Sequence, residues 1–198
     1  MQQDLEPLVK MLSKLPGLGP RSARRSVLYL MKKPQSTMIP LADTIRSVAE
    51  KIKTCGRCGN IDTQDPCEIC RSAKRSTETI CVVVDIDDLW AIERTHSYKG
   101  VYHILGGTLS ALDGVRPDDL SIEHLLNRLS DQETEEVILA LPATVDGQTT
   151  AHYIVQEINK LPIQPQMSHL AHGVPVGGEL NYLDEGTLTM AMEKRRII

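Results

Sequence analysis

The sequence predicts a multi-part α+β chain: a helical hairpin, a knuckle of four cysteines, a small α/β unit with a mostly parallel sheet, and a C-terminal tail. Three observations carry this reading. Leucines at helical spacing lead into Pro16-Gly-Leu-Gly-Pro20 near the N-terminus. Four of the five cysteines fall between Cys55 and Cys70 as two CxxC pairs. From Ile80 onward, short β-branched runs alternate with amphipathic segments, as in a parallel sheet covered by helices.

Composition narrows the field. With 198 residues, 41% of them hydrophobic, the chain can bury one medium core or two small ones, and the absence of Phe makes any core aliphatic. The N-terminus lacks a basic start followed by an apolar run, so no secretory signal is expected, and no apolar run approaches a membrane span. A cytoplasmic protein with reduced cysteines, and no membrane partner, follows as the expectation. Net charge is −4, but its distribution is uneven: Lys10 to Lys33 holds seven basic residues and no acid, whereas Asp131 to Glu136 holds four acids. A basic segment on an acidic chain predicts one surface that faces a polyanion.

In chain order, Leu5, Leu8, Leu12 and Leu15 predict a first helix over 5–15. Pro16 to Pro20 ends it, and a second helix runs from about Arg21 to Met31. Residues 34–40 read as a loop. A third helix, 41–52, puts Leu41, Ile45, Val48 and Ile52 on one side. Strands are expected at 80–84, 101–105, 136–141 and 166–170, with helices at 87–94, 118–129, 149–159 and 183–192. The Gly- and Pro-rich stretch 172–180 reads as a surface crossing.

The cysteines carry the most specific chemistry. Two CxxC turns separated by eight residues suit one tetrahedral Zn²⁺ per chain, with Cys55, Cys58, Cys67 and Cys70 as ligands. A closed four-thiolate shell leaves no open position, so the ion is structural, and the short spacing predicts a compact knuckle stiffening a junction between larger pieces. Asp62, Asp65 and Glu68 read as solvated loop residues, and Cys81 as an inert core thiol.

At the hairpin, Gly17 and Gly19 leave backbone amides uncovered beside a helix N-terminus, which suits a phosphate. Arg21 and Arg25 share a face, with Arg24 and Lys14 near, so the predicted contacts grip a backbone and read no bases. The string Leu15 to Ala23 resembles the helix-hairpin-helix motif of DNA-repair proteins.

Taken in order, Leu15–Ala23, the two CxxC pairs, Asp88–Glu93, Tyr102–Gly107, Leu109–Gly114 and His172–Glu179 resemble the RecR family of bacterial recombination-repair proteins over essentially the whole chain. The resemblance implies a helical region over 1–53, a zinc finger over 54–78, a Toprim domain over 79–175 and a C-terminal tail over 176–198. It also implies a nucleoid-associated homo-oligomer, tetramer or dimer, that encircles DNA and acts with RecO and RecF to load RecA on gapped DNA.

An active Toprim site needs a Glu after the first strand and a DxD pair after a later one to hold Mg²⁺. Here Val84 stands in the place of the Glu, and Asp146-Gly-Gln148 keeps one acid of the pair. Asp85, Asp87, Asp88 and Asp146 remain as a degenerate acidic site, with helix capping as their ordinary role. The expectation is therefore a scaffold without catalytic residues. The rivals are a Mg²⁺-dependent nuclease, primase or topoisomerase-like enzyme, and a protein-interaction adaptor that does not bind DNA. Leu180–Glu185 resembles a Walker B string, but no GxxxxGK[ST] loop accompanies it. His103, His152, His169 and His172 show no metal-ligand spacing.

Overall fold

A computed structural model describes residues 2–171 and 173–195, so His172 and the extreme termini lie outside the described residues. The chain divides into two compact units, 1–52 and 53–198.

The first unit is helical. Helix α1 (Gln2–Leu12) and helix α2 (Pro20–Met31) pack through Val9, Ala23 and Val27, with Leu5, Leu8, Leu12 and Met31 around them. Ala23 is fully buried, so its small side chain sets how closely the helices approach. Helix α1 stops three residues before the expected Leu15, because Ser13 to Leu18 close into successive turns against the carbonyls of Val9, Met11, Leu12 and Leu15. The loop expected at 34–40 is instead a π-helical turn, Pro34–Met38, running directly into helix α3 (Ile39–Lys51). Its prolines, Pro34 and Pro40, stand at N-terminal positions, where a missing N–H costs nothing. Helix α3 buries none of its own residues.

The second unit begins with strands β1 (Lys53–Thr54) and β2 (Ile61–Asp62), an antiparallel pair that carries the first CxxC turn between them. The short helix α4 (Glu68–Arg71) carries the second. The main sheet follows: β3 (Thr79–Val83), β4 (Val101–Ile104), β5 (Glu136–Ala140) and β6 (Gln166–His169), in the order β4-β3-β5-β6 and parallel throughout. Period-two alternation sends Ile80 and Val82 to one face and Cys81 and Val83 to the other. Helices α6 (Ile122–Asp131) and α7 (Val145–Ile158) cover the first face, through Leu125, Leu129, Ile154 and Ile158. Helix α5 (Ile86–Glu93) covers the second through Leu89.

Helix α7 starts four residues before the expected 149. Thr144 caps it by accepting the Gly147 amide at 3.2 Å. Helix α6 is preceded by a separate 3₁₀ turn, Pro117–Asp119, in place of the single helix that the sequence suggests. The string Leu180–Glu185 is not a strand: Leu180–Tyr182 is a 3₁₀ turn, and Asp184 caps helix α8 (Glu185–Glu193) by accepting the Thr187 amide at 2.9 Å.

A polar clasp closes the segment between the knuckle and the sheet. Arg75 pairs with both carboxylate oxygens of Glu93 and donates to the carbonyls of Tyr98 and Gly100, while the Tyr102 hydroxyl donates to Glu93 at 2.7 Å. Burial opposes the Glu93 charge, but the Arg75 and Tyr102 bonds outweigh it and hold the carboxyl below its ordinary value. The stability it adds is therefore present at neutral pH and lost as acid protonates it. Arg75→Ala should cost roughly 2–3 kcal/mol in chemical denaturation at neutral pH, and the difference from wild type should shrink as the pH falls below about 4.

Candidate metal and nucleic-acid sites

The four cysteine thiols are buried and unlinked, and their sulfurs all lie within 4.8 Å of one another. Cys58 and Cys67 stand 3.6 Å apart. Backbone amides point at the sulfurs: Cys67 N–H reaches Cys55 Sγ at 3.3 Å, and Asn60 N–H reaches Cys58 Sγ at 3.5 Å. Such donors favour thiolates, the form that ligates metal. Hydrogen bonds with Cys67 and Cys70, and then burial, push the Cys58 thiol far up, whereas bonds from Cys58 and Cys70 pull Cys67 far down. Sulfurs this crowded share protons until a cation allows all four to ionise. Among the described residues, these cysteines are the one group that brings three or more ligand atoms together. Cys81 lies elsewhere, in the sheet core, where burial pushes its thiol up to about 12 and leaves it unreactive.

The acids of the knuckle are braces, not merely solvated loop residues. Asp65 accepts the Gly56 amide at 2.9 Å and Asp62 accepts the Glu68 amide at 2.7 Å, so each ties one CxxC half to the other. Sequence spacing gives no sign of this, because Asp in a short loop is equally at home in water. The knuckle is also pressed onto the sheet. The Ile104 amide donates to the Cys58 carbonyl at 2.8 Å, and Ile69 packs with the Cys81–Leu89–Tyr102 cluster. Gly59 has φ +81°, and a Cβ there would stand 3.2 Å from Ile104 Cβ, so both conformation and space call for glycine.

In the helical unit, Gly17 turns the hairpin with φ +77°, and no atom comes within 4 Å of a Cβ built at Gly17 or Gly19. Gly19 is the N-cap of α2 and supplies no side-chain acceptor, so the amides of the first turn face outward. Lys14, Arg21, Arg24 and Arg25 are all exposed. Arg24 differs from the others, since it lies 3.9 Å from Glu6 on α1. Among the described residues no carboxylate pairs with Lys14, Arg21 or Arg25.

Asp85 and Asp88 behave as caps. Asp85 accepts the Ile86 amide at 2.6 Å and Asp88 accepts the Asp85 amide at 3.1 Å, a capping box for α5. Asp87 accepts the Asp88 amide at 3.1 Å. Asp146 sits in the first turn of α7, beyond the end of β5. Of the histidines, His103 is buried and bonded to the Ser121 carbonyl at 2.8 Å, His152 contacts Gln156 at 3.0 Å, and His169 contacts the Leu170 carbonyl at 2.9 Å.

Comparison with known proteins matches this order of parts. Family models match at residues 5–49 (RecR, helix-hairpin-helix), 52–72 (the RecR zinc finger domain with four cysteines), 78–168 (Toprim domain) and 173–196 (RecR, C-terminal). A Recombination protein RecR of Parvibaculum lavamentivorans is 57% identical over 193 residues, covering 98% of this chain and 96% of the relative. The chain belongs to the RecR family. Relatives of the same name from Sphingopyxis alaskensis and Rhodopseudomonas palustris are 52% and 55% identical, each over 98% of this chain and 96% of their own. As a RecR family member it combines a helix-hairpin-helix, a four-cysteine finger and a Toprim domain. No described helix is long and apolar enough to cross a membrane.

Metal binding at four thiolates releases protons, so retention should weaken as the pH is lowered. Elemental analysis after gel filtration should find bound metal in the wild-type chain at neutral pH and little in Cys67→Ser.

Proposed function

We propose that this chain is a non-enzymatic DNA-binding factor in recombinational repair, a zinc-braced oligomeric clamp that acts with RecO and RecF to help load RecA on gapped DNA. The carrying observation is the uncovered Pro16–Pro20 turn, where outward amides at the α2 N-terminus stand beside Arg21, Arg25 and Lys14, none of them neutralised by a described carboxylate. Donors of that kind hold phosphates through charge and backbone dipoles and are indifferent to base sequence. Arg24 contributes charge from the same helix, tempered by Glu6.

Zinc suits the knuckle on chemical grounds. Sulfurs about 2.3 Å from a zinc ion lie about 3.8 Å apart at tetrahedral corners, close to the 3.6 Å between Cys58 and Cys67. Cys55, Cys58, Cys67 and Cys70 would fill the shell, and the ion would supply rigidity only. The capping duties of Asp85 and Asp88, with Val84 and Gln148 in place of carboxylates, favour a scaffold over Mg²⁺ chemistry at the sheet ends.

An oligomer suits both the weak grip of one hairpin and helix α3. Leu41, Ile45, Val48 and Ile52 are each between 44% and 60% exposed, an apolar stripe that its own unit leaves uncovered. Several hairpins facing one duplex would add avidity that one hairpin lacks.

Arg21→Ala combined with Arg25→Ala should weaken binding to all DNA sequences alike and reduce the slope of log affinity against log salt by about 2 for each hairpin engaged. Fluorescence anisotropy on a sample of known oligomeric state reads both effects. Unchanged affinity and slope would remove the hairpin from the interface.

A further inference from the structure

Arg128 sits on α6, on the side that meets the knuckle, and only 7% of it is exposed. A buried guanidinium is costly unless a negative group answers it. Arg128 has no such partner in the ordinary sense. Its Nη1 donates to the carbonyls of Tyr102 at 2.7 Å and Arg57 at 3.3 Å, and its Nε has no partner at all. Among the described residues no carboxylate forms an ion pair with it. The two carbonyls belong to different bodies of structure. Tyr102 is in β4, and Arg57 lies inside the first CxxC turn.

What stands beside Arg128 instead is the cysteine knuckle, since the Arg57 carbonyl that it reaches lies between Cys55 and Cys58. Burial disfavours its charge, and Cys70, Cys58 and Cys55 act in the opposite direction. Four thiolates around one divalent ion leave a double negative charge, buried against the sheet. Such a centre needs a nearby cation as much as Arg128 needs an anion. Arg57 also approaches, donating to the Cys70 carbonyl at 3.5 Å, but its side chain comes from the surface of the knuckle.

We propose that Arg128 is the counter-charge of the metal-loaded cysteine cluster, a positioning residue that binds the knuckle to the sheet by answering its charge and holding the Arg57 carbonyl. The inference rests on the zinc reading above. Loading the knuckle then stabilises Arg128 in place, and Arg128 slows loss of the metal. Neither the CxxC spacing nor the family motifs point to this residue, which stands 58 positions after the last ligand, Cys70.

The test is zinc release from the full-length, zinc-loaded protein to an excess of a chromogenic chelator. Arg128→Gln should release zinc about tenfold faster than wild type, in line with the loss of a group that supports metal ligands. Arg128→Lys, which keeps the charge, should stay much nearer the wild-type rate, and this comparison carries the test if Arg128→Gln does not fold. Leu125→Ala serves as a control that loosens the same helix without touching charge. Release at the wild-type rate from Arg128→Gln would overturn the proposal. So would equal acceleration in Leu125→Ala, or a tenfold acceleration in Arg128→Lys. Wild-type protein that carries no zinc at the outset would instead fail the zinc reading itself.

Discussion

The hydrogen bond from the Ile104 amide to the Cys58 carbonyl fixes how this protein is built. Strand β4 is an edge strand, and an edge strand exposes backbone groups that must be answered. Here the answer comes from the first CxxC turn. A turn that offers a carbonyl to a sheet must hold its own shape, and a tetrathiolate metal centre gives a short, loop-rich segment that shape. Gly59 allows the close approach, Asp62 and Asp65 tie the two halves together, and Ile69 adds an apolar contact on the face that also holds Tyr102. The knuckle is therefore part of the sheet-bearing unit and not an independent joint.

The reading of the body as a scaffold rests on what stands at the ends of its sheet. The sheet is parallel, buried on both faces, and its strand ends open onto helix N-termini, the place where α/β proteins usually put their chemistry. In this chain Asp85 and Asp88 at those ends cap α5, whereas α7 is capped by Thr144 and Asp146 lies in its first turn. The proposed nucleic-acid contact lies in the helical unit, where glycine and arginine stand together at one turn.

Much of this is legible in the sequence because it depends on local rules. The β-branched run from Ile80 reads as a doubly buried strand, and paired CxxC turns read as a metal site, without reference to the rest of the chain. Boundaries are less legible where proline or capping decides them. Pro34 and Pro40 look like loop residues but occupy helix starts, and Thr144 begins α7 earlier than its apolar pattern does. The least legible features are long-range. Arg75 with Glu93, and Arg128 with the carbonyls of Arg57 and Tyr102, join residues between 18 and 71 positions apart, and charged residues on amphipathic segments read as solvated until the fold brings their partners to them.

Metal in the knuckle should brace the edge of the sheet. Amide hydrogen exchange at Ile104, compared between zinc-loaded and chelated full-length protein, tests it most directly. Chelation should speed exchange at Ile104 and in the Cys55–Asn60 turn, while Ile80 to Val83 in the centre of the sheet stay protected. Equal protection of Ile104 in both states would show that the sheet edge stands without the metal, and would contradict it.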